Sequence, residues 1–481
     1  MDFRPVVLVN GLLLVVLAVA MAIPAAVDLA SANPDWIVFV MSGAVTLFVG
    51  VAMALTSYSR DFRFTVRQGF VITTSAWVVN ASFAALPFMF SELRMTFTDG
   101  FFEAMSGLTT TGATVITGLD KLPPGILLWR GLLQWIGGIG IIVMAIAILP
   151  ILRVGGMQLF RMESSDRSEK AFPRAAQVAS AIGTIYLGMT VFLILAFWGA
   201  GMRPFEAVVH AMTTISTGGF STSDSSIGVF DSPWIDGVVM LGMLSGSLPF
   251  ILFLKTLRGD RKALVRDSQV RAYLGLVVLA VTAVTGWLWL HGGMELLQAV
   301  RFASFNVVSV VSGTGYATTD FGLWGSFATA VLFFLMFAGG CTGSASGGIK
   351  MYRLLILYAA ARTQIHYLFQ PHGVFIPYFN RRPVPDEVIT SVLAFFYIYM
   401  LVFALLTVAC TAAGLDVITA LSGVATAMGN VGPGFGTVIG PAGTFQPLPD
   451  AAKWLLALGM FLGRLELFTI IVLFSRAFWR A

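Results

Sequence analysis

The stretch GLTTTGATVITG (residues 107–118) lies between two long apolar runs, yet it is built of glycine, threonine and small or medium apolar residues and carries no charge. A flexible, partly polar segment is out of place in this chain. Of its 481 residues 57% are hydrophobic and 11% charged, against about a quarter charged in an ordinary soluble domain. Apolar runs of spanning length recur from end to end, so the chain reads as one membrane domain with no separate soluble domain. The two cysteines, Cys341 and Cys410, are too few for a disulfide framework and have no metal-ligand spacing.

Runs of about 20 apolar residues bounded by charges or turn formers predict ten spans, at 6–28, 36–57, 68–90, 126–151, 177–200, 233–255, 271–291, 324–358, 388–413 and 453–476. The eighth is too long for one simple span. Basic residues cluster at Arg4; at Arg60, Arg63 and Arg67; from Arg153 to Arg174; from Lys255 to Arg271; at Lys350, Arg353, Arg362, Arg381 and Arg382; and at Arg476 and Arg480. These are 22 of the 29 Lys and Arg. Ten spans with both termini cytoplasmic put all 22 inside. The net charge of +5 is then a topology signal, and nucleic acid need not be invoked. The run 6–23 is expected to be a retained span, because its charged flank is weak and a second span follows at once; a cleaved signal peptide is the alternative, which topology does not decide.

Laid side by side, four segments on the opposite face resemble one another: FFEAMSGLTTTGATV (101–115), FEAVVHAMTTISTGGFSTSD (205–224), LLQAVRFASFNVVSVVSGTGYATTDF (296–321) and DVITALSGVATAMGNVGPGFGTV (416–438). Each starts as a short helix and ends in a glycine-centred turn, read as Thr111-Gly112-Ala113, Thr217-Gly218-Gly219, Thr314-Gly315-Tyr316 and Pro433-Gly434-Phe435. The unit is span, short helix, glycine loop, span. The predicted architecture is an all-α polytopic membrane protein: four such repeats in pseudo-fourfold arrangement around one pore, with ten full spans and four re-entrant helices. Its divisions are a two-span extension at 1–58 and repeats at 59–160, 161–262, 263–370 and 371–481.

Physics accounts for the opening stretch. Lipid cannot satisfy non-helical peptide groups, so such backbone survives at membrane depth only where protein buries it or it lines a watery cavity. Four converging loops would make that cavity. Glycine permits conformations that turn successive carbonyls toward the axis, rings of carbonyl oxygens replace the hydration shell of a monovalent cation, and short helices would aim their negative C-terminal ends at the same point.

The motifs TTTGAT, TISTGGFS, SGTGYATTDF, GNVGPGFG, GGCTGSASGGIK and GRLELF resemble those of the Trk/Ktr/HKT superfamily of potassium transporters, most closely its TrkH-type bacterial uptake subunits, over residues 68–476. The extra N-terminal span pair is a further TrkH-like feature. The resemblance implies one pore per subunit, homodimers in the bacterial inner membrane, K+ as the transported ion with no organic cofactor, and a cytoplasmic TrkA-like nucleotide-binding ring as partner. It maps the filter glycines onto Gly112, Gly218, Gly315 and Gly434, within a candidate K+ filter of Thr110, Thr111, Gly112, Thr217, Gly218, Gly313, Thr314, Gly315, Val431, Gly432, Pro433 and Gly434. Sodium-preferring plant relatives often carry serine at the first of these glycines; here all four are glycine, which implies potassium.

Within the eighth span, GGCTGSASGGIK (339–350) holds five glycines in twelve residues. At roughly 1 kcal/mol per interior glycine, the helix should break there. The resemblance makes this stretch a gating loop across the pore, with Gly339, Gly340, Thr342, Gly343, Ser344, Gly347, Gly348 and Lys350 as gate candidates, and it places Arg464 of FLGRLELF in the pore beside the loop. A charge at that depth costs about 2.5–3.5 kcal/mol on insertion scales, so Arg464 needs a partner or water. Glu466, two residues on, faces elsewhere on a helix. His210 reads as a packed support for the second loop, and Glu103 and Arg301 as anchors of the outer scaffold. The spans are nearly free of Asp, Glu and His, which favours channel-like conduction driven by membrane potential. The alternatives are an H+- or Na+-coupled potassium symporter, a less selective K+/Na+ transporter, or the ion-binding subunit of a pump. No Walker loop is present, and His291, His366 and His372 lie outside the spans, which argues against a nucleotide site or an intramembrane hydrolase in this chain.

Overall fold

The computed structural model describes residues 1–59, 65–147, 171–380 and 382–480. The basic positions Arg60, Arg63, Arg153, Arg161, Arg167, Lys170 and Arg381, and the end of the fourth predicted span, lie outside the described residues. The architecture is helical, with one two-stranded antiparallel turn pairing Tyr378–Phe379 with Arg382–Pro383.

Seven described helices are long and apolar enough to cross a membrane, or nine if two bent pairs each count as one span. Of the ten predicted spans, two need correction and a third breaks as expected. The run 233–255 is two helices, Pro233–Ser247 and Phe250–Leu257, meeting at 97°. Pro249 causes this break: it bars the preceding residue from the helical region, and Leu248 is extended (ψ 156°). The run 453–476 breaks by 111° between Asp450–Arg464 and Leu467–Phe474, where Glu466 takes a left-handed φ of 65°. The run 324–358 contains the helices Ser326–Leu335 and Met351–Phe369 on either side of an irregular segment at 336–350, as its glycine density predicts.

The N-terminal pair, Arg4–Ala30 and Trp36–Ser57, packs through reciprocal glycines. A Cβ on Gly11 would meet the Gly50 carbonyl, and one on Gly50 the Gly11 carbonyl, the small-residue approach that membrane helices use in place of a hydrophobic driving force. Asp28, at the end of the first helix and fully buried, accepts a 2.6 Å hydrogen bond from the Gly125 amide. It thereby caps the helix Pro124–Ala147 from outside that helix's own chain segment. That helix is buried over 78% of its spanning window, against 22% for Trp36–Ser57, so the extension lies peripheral to it.

Four short helices, Phe97–Leu108, Pro204–Ile215, Leu296–Ser312 and Val417–Gly429, occupy the predicted re-entrant positions. At 12 to 17 residues they reach roughly 18–26 Å, short of a ~30 Å hydrocarbon core. Local chemistry starts them: Thr96 accepts from the Asp99 amide and Asp416 from the Thr419 amide. All four end on the glycine loops.

Candidate functional site

The four short helices terminate in the same way. The first residue past each end or its cap, Thr110, Thr217, Gly313 and Asn430, is left-handed at φ 52°, 52°, 74° and 52°. The next amide reaches back five residues in every case: Thr111 to Ser106 O (2.9 Å), Gly218 to Thr213 O (2.8 Å), Thr314 to Ser309 O (3.0 Å) and Val431 to Thr426 O (3.0 Å). This is the six-to-one closure that satisfies otherwise orphaned carbonyls at a helix C-terminus. One residue further on the chain is left-handed again, at Gly112, Gly219, Gly315 and Gly432 (φ 86°, 77°, 80° and 108°).

The equivalent glycines are thus Gly112, Gly219, Gly315 and Gly432, which moves the expected register at two loops, from Gly218 to Gly219 and from Gly434 to Gly432. The reasons are physical. Loop two offers adjacent glycines, of which only the second has positive φ. In loop four, Asn430 supplies the left-handed cap without a glycine, and Pro433-Gly434-Phe435 imitates Thr-Gly-X beyond it. The Gly434 amide is tied to Ile439 O (2.7 Å) within its own repeat.

These glycines link the loops into a circuit. A Cβ on Gly112 would strike the Gly218 carbonyl oxygen, one on Gly219 that of Thr314, one on Gly315 that of Val431, and one on Gly432 that of Thr111. The struck oxygen belongs each time to the residue just before the next loop's glycine, and the fourth contact returns to the first loop. No L side chain fits such a place, since the backbone is left-handed and the neighbouring carbonyl is in the way. Among the described residues no group of three or more His, Cys, Asp or Glu could hold a metal ion; the groups on offer are carbonyls, hydroxyls and the C-terminal ends of four helices.

Buried polar side chains brace the circuit. Glu103 and Arg130 pair at 2.8 Å with both side chains buried. Glu103 also accepts from the Val115 amide (3.0 Å), and Arg130 donates to Ser221 O (2.9 Å), tying loop one to loop two. Gln134, one turn further along the same helix, donates to Gly218 O (2.6 Å) and accepts from the Phe220 amide (3.0 Å). The Tyr316 hydroxyl of loop three meets the Thr213 hydroxyl of the second short helix at 2.5 Å. Asn430 of loop four donates to the Thr111 hydroxyl (2.9 Å) and to Met460 O (3.0 Å). His210 is packed, as expected, between Glu206 O (2.8 Å) and the Ser221 hydroxyl (3.1 Å). Arg301 pairs with Asp236 at 2.7 Å and Asp231 at 3.1 Å. Sequence reasoning missed Arg130, Gln134, Tyr316 and Asn430 as braces; the signal was there in Arg130 and Gln134, two polar residues four apart on one face of an otherwise apolar span.

The candidate gate lies against this ring. In segment 336–350 the Gly339 amide donates to Ile349 O (2.9 Å) and the Ile349 amide to Phe337 O (3.0 Å), closing the loop through a parallel bridge between Ala338 and Ile349. Cross-links to the second repeat hold it: Cys341 donates to Ser247 O (2.9 Å), Ala345 to Gly246 O (3.0 Å), and Gly343 O accepts from Phe250 (3.0 Å). The Thr342 amide donates to Gln269 (3.0 Å), the Ser344 hydroxyl to Cys341 O (2.6 Å), and the Lys350 amino group to Ser346 O. Close approach explains four of its glycines, beginning with Gly339, where a Cβ would strike the Gly347 carbonyl. A Cβ on Gly340 would meet Ser346 and the Ser247 carbonyl, one on Gly347 the Gly429 carbonyl and Asn430 at the fourth helix end, and one on Gly348, left-handed at φ 67°, would crowd Gly339.

Arg464 donates from Nη1 to Ala345 O in this loop (2.8 Å). Its side chain is buried, and its Nε and Nη2 have no partner among the described residues. The neighbouring Glu466 forms a buried ion pair with Arg353, just beyond the loop. A spacing rule places Arg464 among the repeats. A Cβ on Gly137 would strike Leu108 O, one on Gly246 Ile215 O, and one on Gly463 Met428 O, the same position on three short helices. The residue after each glycine is Gly138, Ser247 and Arg464: the fourth repeat carries a guanidinium where its counterparts carry a hydrogen or a hydroxyl.

Comparison with known proteins agrees with this architecture. The TrkH family model, described as cation transport protein, matches residues 37–480. The chain is 45% identical to the Trk system potassium uptake protein TrkI of Halomonas elongata, over 99% of this chain and 97% of that one. It is 39% identical to the Trk system potassium uptake protein TrkH of Escherichia coli K12, over the full length of both. The crystal structure of the potassium transporter TrkH from Vibrio parahaemolyticus superposes with a TM-score of 0.93 at 37% identity, covering all of both chains. An integral membrane protein with this repeated loop architecture, matched end to end by these relatives, belongs to the TrkH family of cation transport proteins.

Proposed function

We propose that this chain takes up potassium across the bacterial inner membrane through a single pore, with the four loops as a pseudo-fourfold carbonyl filter. The reading rests on the closed circuit of glycine-to-carbonyl contacts. The oxygens of Thr111, Gly218, Thr314 and Val431 are one equivalent set, and a ring of carbonyls is what strips a monovalent cation of its water. The C-terminal ends of four short helices add negative potential there. Segment 336–350 is the gate and Arg464 its electrostatic latch, since a buried guanidinium beside the ring opposes cations until the loop moves.

Transport is driven by the membrane potential. At ~2.3 kcal/mol per charge per 100 mV, about 150 mV sustains some several-hundred-fold accumulation of K+. The subunit works as a homodimer under control of a cytoplasmic TrkA-like nucleotide-binding ring; the TrkI and TrkH relatives are named as parts of a Trk system. The test is ion flux into proteoliposomes holding this chain alone under an imposed potential. Voltage-set uptake of K+ and Rb+ with Na+ and Li+ disfavoured supports the proposal. Uptake only with a proton or sodium gradient makes the protein a coupled symporter, and equal passage of K+ and Na+ removes the filter reading.

A further inference from the structure

The four-way equivalence of the ring is broken by one side chain. Gln134 is fully buried in the helix Pro124–Ala147 and holds loop two on both sides of Gly219, donating to Gly218 O (2.6 Å) and accepting from the Phe220 amide (3.0 Å). Among the described residues, the other three ring oxygens, of Thr111, Thr314 and Val431, accept from no side chain. The second spans explain why. Gln134 stands three residues before Gly137, and the same step back from Gly246 and Gly463 reaches Met243 and Met460. In the third repeat, where Gly339-Gly340 follows the same pattern as Gly137-Gly138, it reaches Met336. All three methionines are buried, and a thioether donates nothing.

We infer that Gln134 is a positioning residue for ion selectivity: its amide N–H fixes the direction of one ring carbonyl and occupies one of its lone pairs, so that the site offers a cation three unrestrained oxygens and one restrained one. The inference rests on the filter reading proposed above. A carbonyl held from the side cannot swing inward to close around a smaller, unhydrated ion, so the brace disfavours Na+. Methionine is both the closest apolar match in length and the residue the other three repeats already carry, so Q134M tests the hydrogen bonds with little change of volume. Q134E supplies a second test, because a carboxylate cannot donate to Gly218 O whereas its protonated form can.

The experiment is paired K+, Rb+ and Na+ flux into proteoliposomes at pH values from 5 to 8 for the native chain, Q134M and Q134E. The expected result is a K+ preference over Na+ that falls about tenfold in Q134M at every pH, and a Q134E preference that is lost at high pH and recovers as pH falls. A merely structural role would lower total flux without a titratable ratio. Native-like ratios in both variants overturn the inference. If Q134M fails to fold, a pH-independent ratio in Q134E overturns it alone. A native chain that does not distinguish K+ from Na+ defeats the filter proposal itself, a separable outcome.

Discussion

The two ends of the repeated unit obey opposite rules. At the glycine loops the four repeats agree to the residue: left-handed cap, a residue outside the left-handed region, left-handed glycine, and a back-reaching hydrogen bond of 2.8–3.0 Å at each. At the later halves of the second spans they diverge. The first runs unbroken through Gly137 and Gly138, the second bends 97° at Pro249, the third dissolves into segment 336–350, and the fourth bends 111° after Arg464. A ring that surrounds an ion needs equivalent donors, whereas a gate needs one element able to move against three that stay. Divergence concentrated below a conserved ring is therefore what a gated pore built from duplicated units would show.

The inner end should hold the largest single energetic liability. Glu466 and Arg353 are paired while nearly excluded from solvent, and removing one member of such a buried pair costs about 3–5 kcal/mol. Glu466→Ala should therefore sharply lower the thermal unfolding temperature of detergent-solubilised protein. Equal unfolding temperatures for the native chain and Glu466→Ala would show that the pair does not hold the gate region together.

At the ring, the comparison is sharpened by two glycines two residues apart. Gly432 is left-handed against the Thr111 carbonyl, while a Cβ on Gly434 would meet the Ile439 side chain, which can turn aside. Strain of roughly 1–2 kcal/mol for a left-handed L residue, together with a displaced ring oxygen, should reduce K+ flux on the order of 100-fold in Gly432→Ala. Gly434→Ala should stay within a few-fold of native. The reverse ranking would return the filter to the register expected from sequence. A smaller effect belongs to Arg464→Ser, which installs the residue of the second repeat: basal K+ flux without any partner protein should rise about tenfold as the charge beside the ring is removed, and unchanged flux would take the latch role from Arg464.

Much of this was legible from composition and repetition alone. Most of the spans, the four short helices and the glycine-dense break at 339–350 follow from hydropathy and helix propensity, both local properties. What stayed hidden depends on backbone conformation or on contacts between repeats. Letters could not show that Asn430 does the work of Gly313, nor which glycine of Gly218-Gly219 turns left-handed, because that is set by hydrogen bonds back into the short helix. The bend after Arg464 has no proline to announce it; it shows only as a left-handed Glu466. The partner of Glu466 lies 113 residues away, and the brace from Asn430 to Thr111 crosses repeats, so no periodicity reports either.

The unbroken first-repeat helix invites the subtlest test, since it is capped from outside the repeats by Asp28. Asp28 holds the Gly125 amide through Oδ1, while its buried Oδ2 has no partner among the described residues. Removing the cap in Asp28→Ala should cost about 1 kcal/mol, seen as a modest fall in unfolding temperature. Asp28→Asn keeps an acceptor for Gly125 and removes a poorly satisfied charge, so it should match the native chain or exceed it. Arg130 and Gln134 lie further along the same helix and are held by their own hydrogen bonds to loops one and two, so the K+/Na+ flux ratio should hold in both variants. A shifted ratio in Asp28→Ala would mean that the N-terminal pair sets the height of this helix and, through Gln134, the geometry of the ring, making the extension part of the filter's support and not a peripheral addition.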